Sequence, residues 1–161
     1  MGDTKQKHRS FNRPKKPFDR ARIDEENILL KRYGLKNKRE IWRAKSVVSK
    51  MRKQAKSLIG QSDEEQRKFF EKLNKMGVQI NTISDILALT EKNILDKRLQ
   101  TFVFNNKLAN TIKGARQLIV HKKILVDNII INVPSFWVTK GLKNKISLKK
   151  RISAGVVVEH E

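Results

Sequence analysis

Between Arg98 and Pro134 the spacing of the apolar residues changes period, and that change limits what this stretch can fold into. Leu95, Leu99, Phe102 and Val103 recur at spacings that line one face of a helix. Asn105-Asn106 interrupts the pattern. Thr111 then opens a shorter helix with Ile112, Ala115, Leu118 and Ile119 on its inner face. Beyond His121 the period becomes two. Ile124, Val126, Ile129, Ile131 and Val133 share one sheet face if Asp127-Asn128 is a two-residue turn. Asn tolerates the positive φ of such a turn, although Gly adopts it more easily. Helix, helix and hairpin within forty residues define a compact α+β unit, and Ile146–Ile152 is expected to add a strand.

The chain ahead of this unit reads as helical. Asp24 is the expected cap of a first helix that ends near Gly34. A long second helix buries Ile41, Ala44, Val48, Met51, Ala55 and Leu58 on one face and stops at Gly60. Ser62 and Glu65 have the spacing of a capping box. The third helix buries Phe69, Leu73 and Met76 and stops at Gly77. Ser84 and Thr90 are the expected caps of a short helix and of a longer one that carries Leu95 to Val103. The predicted organisation is a basic flexible arm (1–20), a helical region (21–94), the compact unit (95–140) set against it, and a basic C-terminal segment (141–161). The fold class is α+β.

Charge gives the first functional constraint. The 161 residues carry 37 Lys and Arg against 16 Asp and Glu, a net charge of +21. Self-repulsion at that charge opposes compaction, and a polyanion relieves it. The excess is also segregated. Residues 1–60 hold nineteen basic and six acidic side chains, 61–100 hold seven of each, and 101–161 hold eleven and three. Two basic regions thus flank a neutral scaffold, which mere solubility would not require. The arm carries Pro14, Pro17 and six Lys or Arg before Pro17. It has too little apolar content to fold alone and is expected to order on RNA.

Other classes are disfavoured. There is no cysteine, so disulfides and thiolate metal sites are excluded. His8, His121 and His160 are scattered, and no phosphate loop, metalloprotease motif or nucleophile elbow is present. Neither an enzyme nor a cofactor is expected. No apolar run approaches the ~20 residues of a membrane span. The first eighteen residues have no apolar core, and Gln6 stands where a myristoylation site wants Ser or Thr. No membrane partner is expected, and the expected location is cytoplasmic.

The basic residues favour folded RNA. Its backbone offers phosphates and its deep groove resists side chains, so proteins grip it by shape and charge. A helix starting at Thr111 presents free N–H groups and a positive dipole end to a phosphate, with Lys113 in its first turn. Arg116 lies one turn on and can fork onto a phosphate. Arg98 projects from the neighbouring helix, and His121, Lys122 and Lys123 stand at the junction with the hairpin. Arg43, Arg52, Lys53 and Lys56 lie on the polar side of the long helix, with Arg39 beside Trp42. The alternative for Arg98 and Arg116 is a salt bridge to Asp96 or Asp127. Tyr33, Trp42 and Trp137 can stack on bases, although aromatics among aliphatic neighbours are more often core.

Several of these stretches carry a family resemblance. Arg98-Leu99-Gln100, Ala115-Arg116-Gln117-Leu118-Ile119, His121, Val126-Asp127-Asn128 and Val133-Pro134-Ser135 resemble the RNA-binding domain named for small-ribosomal-subunit protein S-four. The run Tyr33-Gly34-Leu35-Lys36-Asn37-Lys38-Arg39-Glu40-Ile41-Trp42-Arg43 resembles the N-terminal region of the archaeal and eukaryotic form of that ribosomal family. Pro17-Phe18-Asp19 and Asp85-Ile86-Leu87-Ala88-Leu89-Thr90 fit the same pattern. The resemblance implies an RNA-contacting module with an alpha-L motif, in which Gln100 and Gln117 join the RNA-binding residues. It also implies a primary rRNA-binding protein of the small subunit that nucleates assembly of the 5′ domain and supports translational accuracy near the mRNA entry region. Neighbouring small-subunit proteins would be its other partners. Asn110 replaces a frequent Arg, Asn128 a usual Gly, and Lys122-Lys123 a Gly- or His-containing pair. The missing cysteines exclude the zinc site of some bacterial relatives, and the segment after Arg151 is short. A small-subunit assembly factor sharing the domain is the alternative function, and an RNA-modifying enzyme would need a catalytic domain for which the remaining length leaves no room.

Overall fold

The computed structural model describes residues 10–149. The start of the predicted arm, His8 and His160, the Gly2 region and the end of the predicted 146–152 strand lie outside these residues. Within them the chain forms α1 (Arg20–Arg32), α2 (Lys38–Ser57), α3 (Asp63–Lys75), α4 (Ile83–Ala88), α5 (Glu91–Asp96), α6 (Leu99–Asn105) and α7 (Ile112–Val120). Strands β1 (Ile124–Val126), β2 (Ile129–Ile130) and β3 (Ile146–Leu148) follow, with a 3-10 turn at Lys140–Leu142. The sheet is antiparallel, with β1 between its two partners.

The apolar spacing of α2 settles its orientation. Ile41, Ala44, Val48, Met51 and Ala55 are all buried. They join Leu29, Leu35, Phe69, Leu73, Ile86 and Leu95 in a first core made by α1 to α5. A second core joins Leu99, Phe102 and Val103 of α6 to Ala115 and Ile119 of α7, and to Ile124, Val126 and Ile146 of the sheet. Each fully buried aliphatic side chain in these cores contributes about 1.5–3 kcal/mol.

The helix ends follow local chemistry, with three departures from expectation. Asp19, not Asp24, caps α1, and Asp24 instead pairs with Arg20 inside the helix at 3.6 Å. The first turn of α1 is polar, so its apolar pattern starts a turn late. Ser62 precedes α3 but makes no side-chain cap, and Gln66 donates back to the carbonyls of Leu58 and Gln61. The capping box forms at α4, where Thr82, not Ser84, is the cap and Asp85 is its partner. Backbone N–H groups of Asn81 and Thr82 hold the Asp85 carboxyl below its ordinary pKa.

The long helix expected after Thr90 is broken in two. Arg98 is extended and bridges Trp137. Leu99 N–H donates to the Phe136 carbonyl at 2.8 Å, and Val138 N–H to the Lys97 carbonyl at 3.0 Å. Tertiary pairing has overridden helical spacing here. The returning segment 134–138 therefore seats against the junction between α5 and α6.

In the hairpin Asp127 and Asn128 both have positive φ, 52° and 66°, as a two-residue turn of this hand requires. Val126 pairs with Ile129 and Leu125 with Ile130. Ile124, Val126 and Ile131 pack on the second core as expected. Ile129 and Val133 do not, since the hairpin tip projects past the core and leaves them 67% and 48% exposed. Residues 10–19 contact the helical region: Arg22 takes the Lys16 and Pro17 carbonyls, and the Phe11 ring lies 5.9 Å from that of Trp42.

Gly34 is where backbones meet most closely. It has φ +55°, and a Cβ there would overlap Cγ2 of Ile112. A Gly34→Ala variant is expected to lose at least about 2 kcal/mol, combining left-handed strain with overpacking. Urea unfolding checks this, and a loss below about 0.5 kcal/mol would contradict it.

Candidate nucleic-acid interface

The expected RNA-binding residues come from four separated stretches, and the fold gathers many of them around one carboxylate. Glu40 sits in the first turn of α2. Arg98 Nη2 donates to its Oε2 at 2.6 Å, and Arg116 Nη2 to its Oε1 at 3.0 Å. Arg116 Nη1 adds a contact at 3.3 Å, and the Lys36 N–H one at 3.1 Å. The alternative partners considered for these arginines are occupied elsewhere. Asp96 accepts from the Tyr33 hydroxyl at 2.8 Å, and Asp127 from Lys145 Nζ at 2.9 Å. Sequence reading missed Glu40, whose partners lie 58 and 76 residues away.

Gln100 fastens the same joint. Buried to 2% exposure, its side-chain amide donates to the carbonyls of Tyr33, Gly34 and Ile112 within 3.2 Å. It thereby ties α6 to the α1–α2 link and to the start of α7. Its expected contact with RNA does not fit this burial, and its place is structural. Arg98 is also buried, at 9% exposure, with its Nε lacking a partner. Arg116 keeps about a quarter of its side chain exposed.

Above the carboxylate lies a groove of about 430 Å³. Arg39, Arg43, Arg98 and Arg116 all line it, together with Glu40, Val47, Pro134 and Trp137. A second concavity of about 300 Å³ is lined by Gln117, Leu118, His121 and Lys123. Thr111 caps α7 as expected, its hydroxyl accepting from Gly114 N–H at 3.0 Å, and Lys113 is exposed beside it. Lys53 and Lys56 are exposed on the distal half of α2. Arg52 is committed inward, donating to the Leu89 carbonyl at 2.6 Å. Of the stacking candidates, Tyr33 is buried, and Trp42 donates to the buried Glu26 at 2.9 Å. Trp137 is half-buried and donates to the Met76 carbonyl.

Lys122 occupies a costly position. It follows the C-cap of α7 with φ +57°, where the chain turns left-handed and Gly is usual. Lys122 N–H bonds the Ile119 carbonyl and Lys123 N–H the Leu118 carbonyl, at 2.9 and 3.0 Å. Lys107 takes the same conformation after the C-cap of α6, with φ +56°.

Comparison with known proteins agrees with this geometry. Residues 97–143 match the model of the S4 domain. Along most of its length the chain is similar to proteins named small ribosomal subunit protein uS4. That of Thermoplasma volcanium is 42% identical over 156 residues, covering 91% of this chain and 78% of the relative. Those of Picrophilus torridus and Saccharolobus islandicus are 38% and 41% identical over 157 and 153 residues. Each match covers 91% of this chain, and 85% and 84% of the respective relative. The S4 domain and the α+β architecture define an S4-type RNA-binding fold. The chain belongs to the small ribosomal subunit protein uS4 family.

Two titrations report on the joint. Burial alone would raise the Glu40 pKa, but the bonds and charges of Arg116 and Arg98 outweigh it and hold the carboxyl below its ordinary 4.5. A depressed folded pKa stabilises fully above the unfolded value and less as pH falls through the folded one. Glu40→Gln is expected to remove that contribution and flatten the fall in melting temperature below about pH 4.5. An unchanged acid limb would contradict the coupling. Tyr33 is pushed from 10.0 up to about 12, first by burial and then by its bond to Asp96. A raised folded pKa stabilises fully below 10.0 and less as pH rises towards 12, so Tyr33→Phe is expected to flatten the alkaline limb.

Proposed function

We propose that this chain is a structural constituent of the small ribosomal subunit that binds its rRNA directly and has no catalytic role. The observation that carries this reading is the groove, where arginines from α2, the α5–α6 junction and α7 converge. No simple solubility need explains that convergence, and family membership points the same way. Residues 21–94 act as a helical rRNA-binding region and 95–140 as the S4-type module, joined through Glu40 and Gln100 into one surface. Arg39, Arg43 and Arg116 contact phosphates around the groove. Thr111, Lys113, Gln117, His121, Lys122 and Lys123 grip the backbone along α7 and its exit. Lys53 and Lys56 extend the contact along α2, whereas Arg52 and Arg98 chiefly position the surface.

In the finer reading, the rRNA bound is the 5′ domain, and binding nucleates its assembly. The bound protein then stands beside neighbouring small-subunit proteins near the mRNA entry region and supports accuracy. The location that follows is the cytoplasmic ribosome. Among the described residues no helix is long and apolar enough to cross a membrane, and no cluster of His, Cys, Asp or Glu could hold a metal.

Gradient fractionation of native lysate at moderate salt tests the proposal. The expected result is stoichiometric presence in mature small subunits and polysomes. Presence only in precursor particles would favour the assembly factor, and presence only in the soluble fractions would overturn both. Lys122→Gly separates function from stability. It is expected to stabilise the fold by about 1 kcal/mol, by relieving the left-handed lysine, while weakening rRNA binding severalfold. Tighter or unchanged binding would remove Lys122 from the interface.

A further inference from the structure

The groove is not uniformly cationic, and the distribution of its charge indicates what it holds. At its floor Glu40 neutralises Arg98 and Arg116. Its walls include Ala44, Val47, Ile94 and Trp137. The charge without an ion partner among the described residues sits on Arg39 and Arg43, which are exposed and four residues apart on α2. A neutral floor and apolar walls under a cationic edge suit a ligand with a flat, weakly polar body and an anionic end. A duplex backbone is too broad and too evenly charged for that division. An unstacked nucleotide has the required polarity, since single-stranded bases splay out of folded RNA and pack on aromatic and guanidinium faces. The volume, about 430 Å³, falls within the range of small-molecule sites.

We propose that this groove receives a single unstacked nucleotide of the bound RNA, its base against Val47 and Trp137 and its phosphate on Arg39 and Arg43. The inference rests on the rRNA-binding reading and specifies the kind of RNA element recognised at this position. The groove lining also supplies groups that can read a base edge. The Asn37 amide and the Ser135 hydroxyl line the same groove, and both residues are exposed. Recognition there would be selective for an unpaired residue, whereas the surface along α7 tracks backbone.

The test uses the full chain and a transcript of the rRNA 5′ domain. Val47→Phe narrows the groove without removing a charge. It is expected to weaken binding at least tenfold while leaving the log–log salt dependence unchanged. The paired substitution Arg39→Gln and Arg43→Gln is expected to weaken binding and to reduce that slope by about 0.7 for each single-strand phosphate lost. Val47→Ala, which opens the groove, is expected to retain affinity. Folding of each variant is checked by circular dichroism. Should Val47→Phe fail to fold, short-wave ultraviolet crosslinking of the native complex decides, with an RNA adduct expected on the peptide bearing Trp137. Full affinity in a folded Val47→Phe variant, or crosslinks confined to α7 and the hairpin, would overturn base insertion and leave the rRNA-binding reading standing. Failure of the native chain to bind the transcript would overturn that reading as well.

Discussion

The Glu40 carboxylate is the interaction on which the arrangement of this molecule depends. The chain builds two separate apolar cores, one from α1 to α5 and one from α6, α7 and the sheet. Hydrophobic burial stabilises each core but is poorly directional, so it does not by itself fix the angle between them. A two-armed carboxylate, together with the pairing of segment 134–138 at the α5–α6 junction, constrains that angle. It takes one arginine from the junction between the cores and one from the second core, while itself belonging to the first. Gln100 adds two carbonyl contacts across the same seam, to Tyr33 and Gly34, and a third to Ile112 within the second unit. Breaking a buried ion pair by removing one partner typically costs about 3–5 kcal/mol, because it strands the other charge.

The joint also offsets part of the self-repulsion in a chain with net charge +21. A few of its acidic groups sit where packing brings cations together. Glu26 is buried against Arg22 and Trp42, with Lys38 and Lys45 within 3.9 Å. Asp127 closes the hairpin onto Lys145. The cations left at the surface are the ones we propose for the interface.

Much of this was legible in the sequence because it is local. The stripe of α2, the Thr111 cap and the Asp127-Asn128 turn each arise from neighbours a few residues apart. What was not legible depends on long separations. The break at Arg98 is imposed by Trp137 and its neighbours, and no helical pattern contains that information. Glu40 looked like one more acid at a helix start, where the dipole alone would justify it. Its real partners could have been suspected only from the shortage of carboxylates around so many arginines. Gln100 entered the expected RNA contacts only through the family resemblance, and its side chain is turned onto buried carbonyls instead. The caps at Thr82 and Asp19 were displaced by small offsets in turns where several polar residues compete.

The most direct measurement is the rRNA affinity of Glu40→Gln at moderate salt, compared with Glu40→Gln combined with Arg116→Gln. Charge accounting alone says that removing a carboxylate from an RNA-binding face should tighten binding. If Glu40 is the joint that orients the arginines, the single variant is expected to bind several-fold more weakly than the native chain. The second substitution should then add less than it costs in the native background. Tighter binding by Glu40→Gln, with the two substitutions simply additive, would contradict the central role given to this carboxylate.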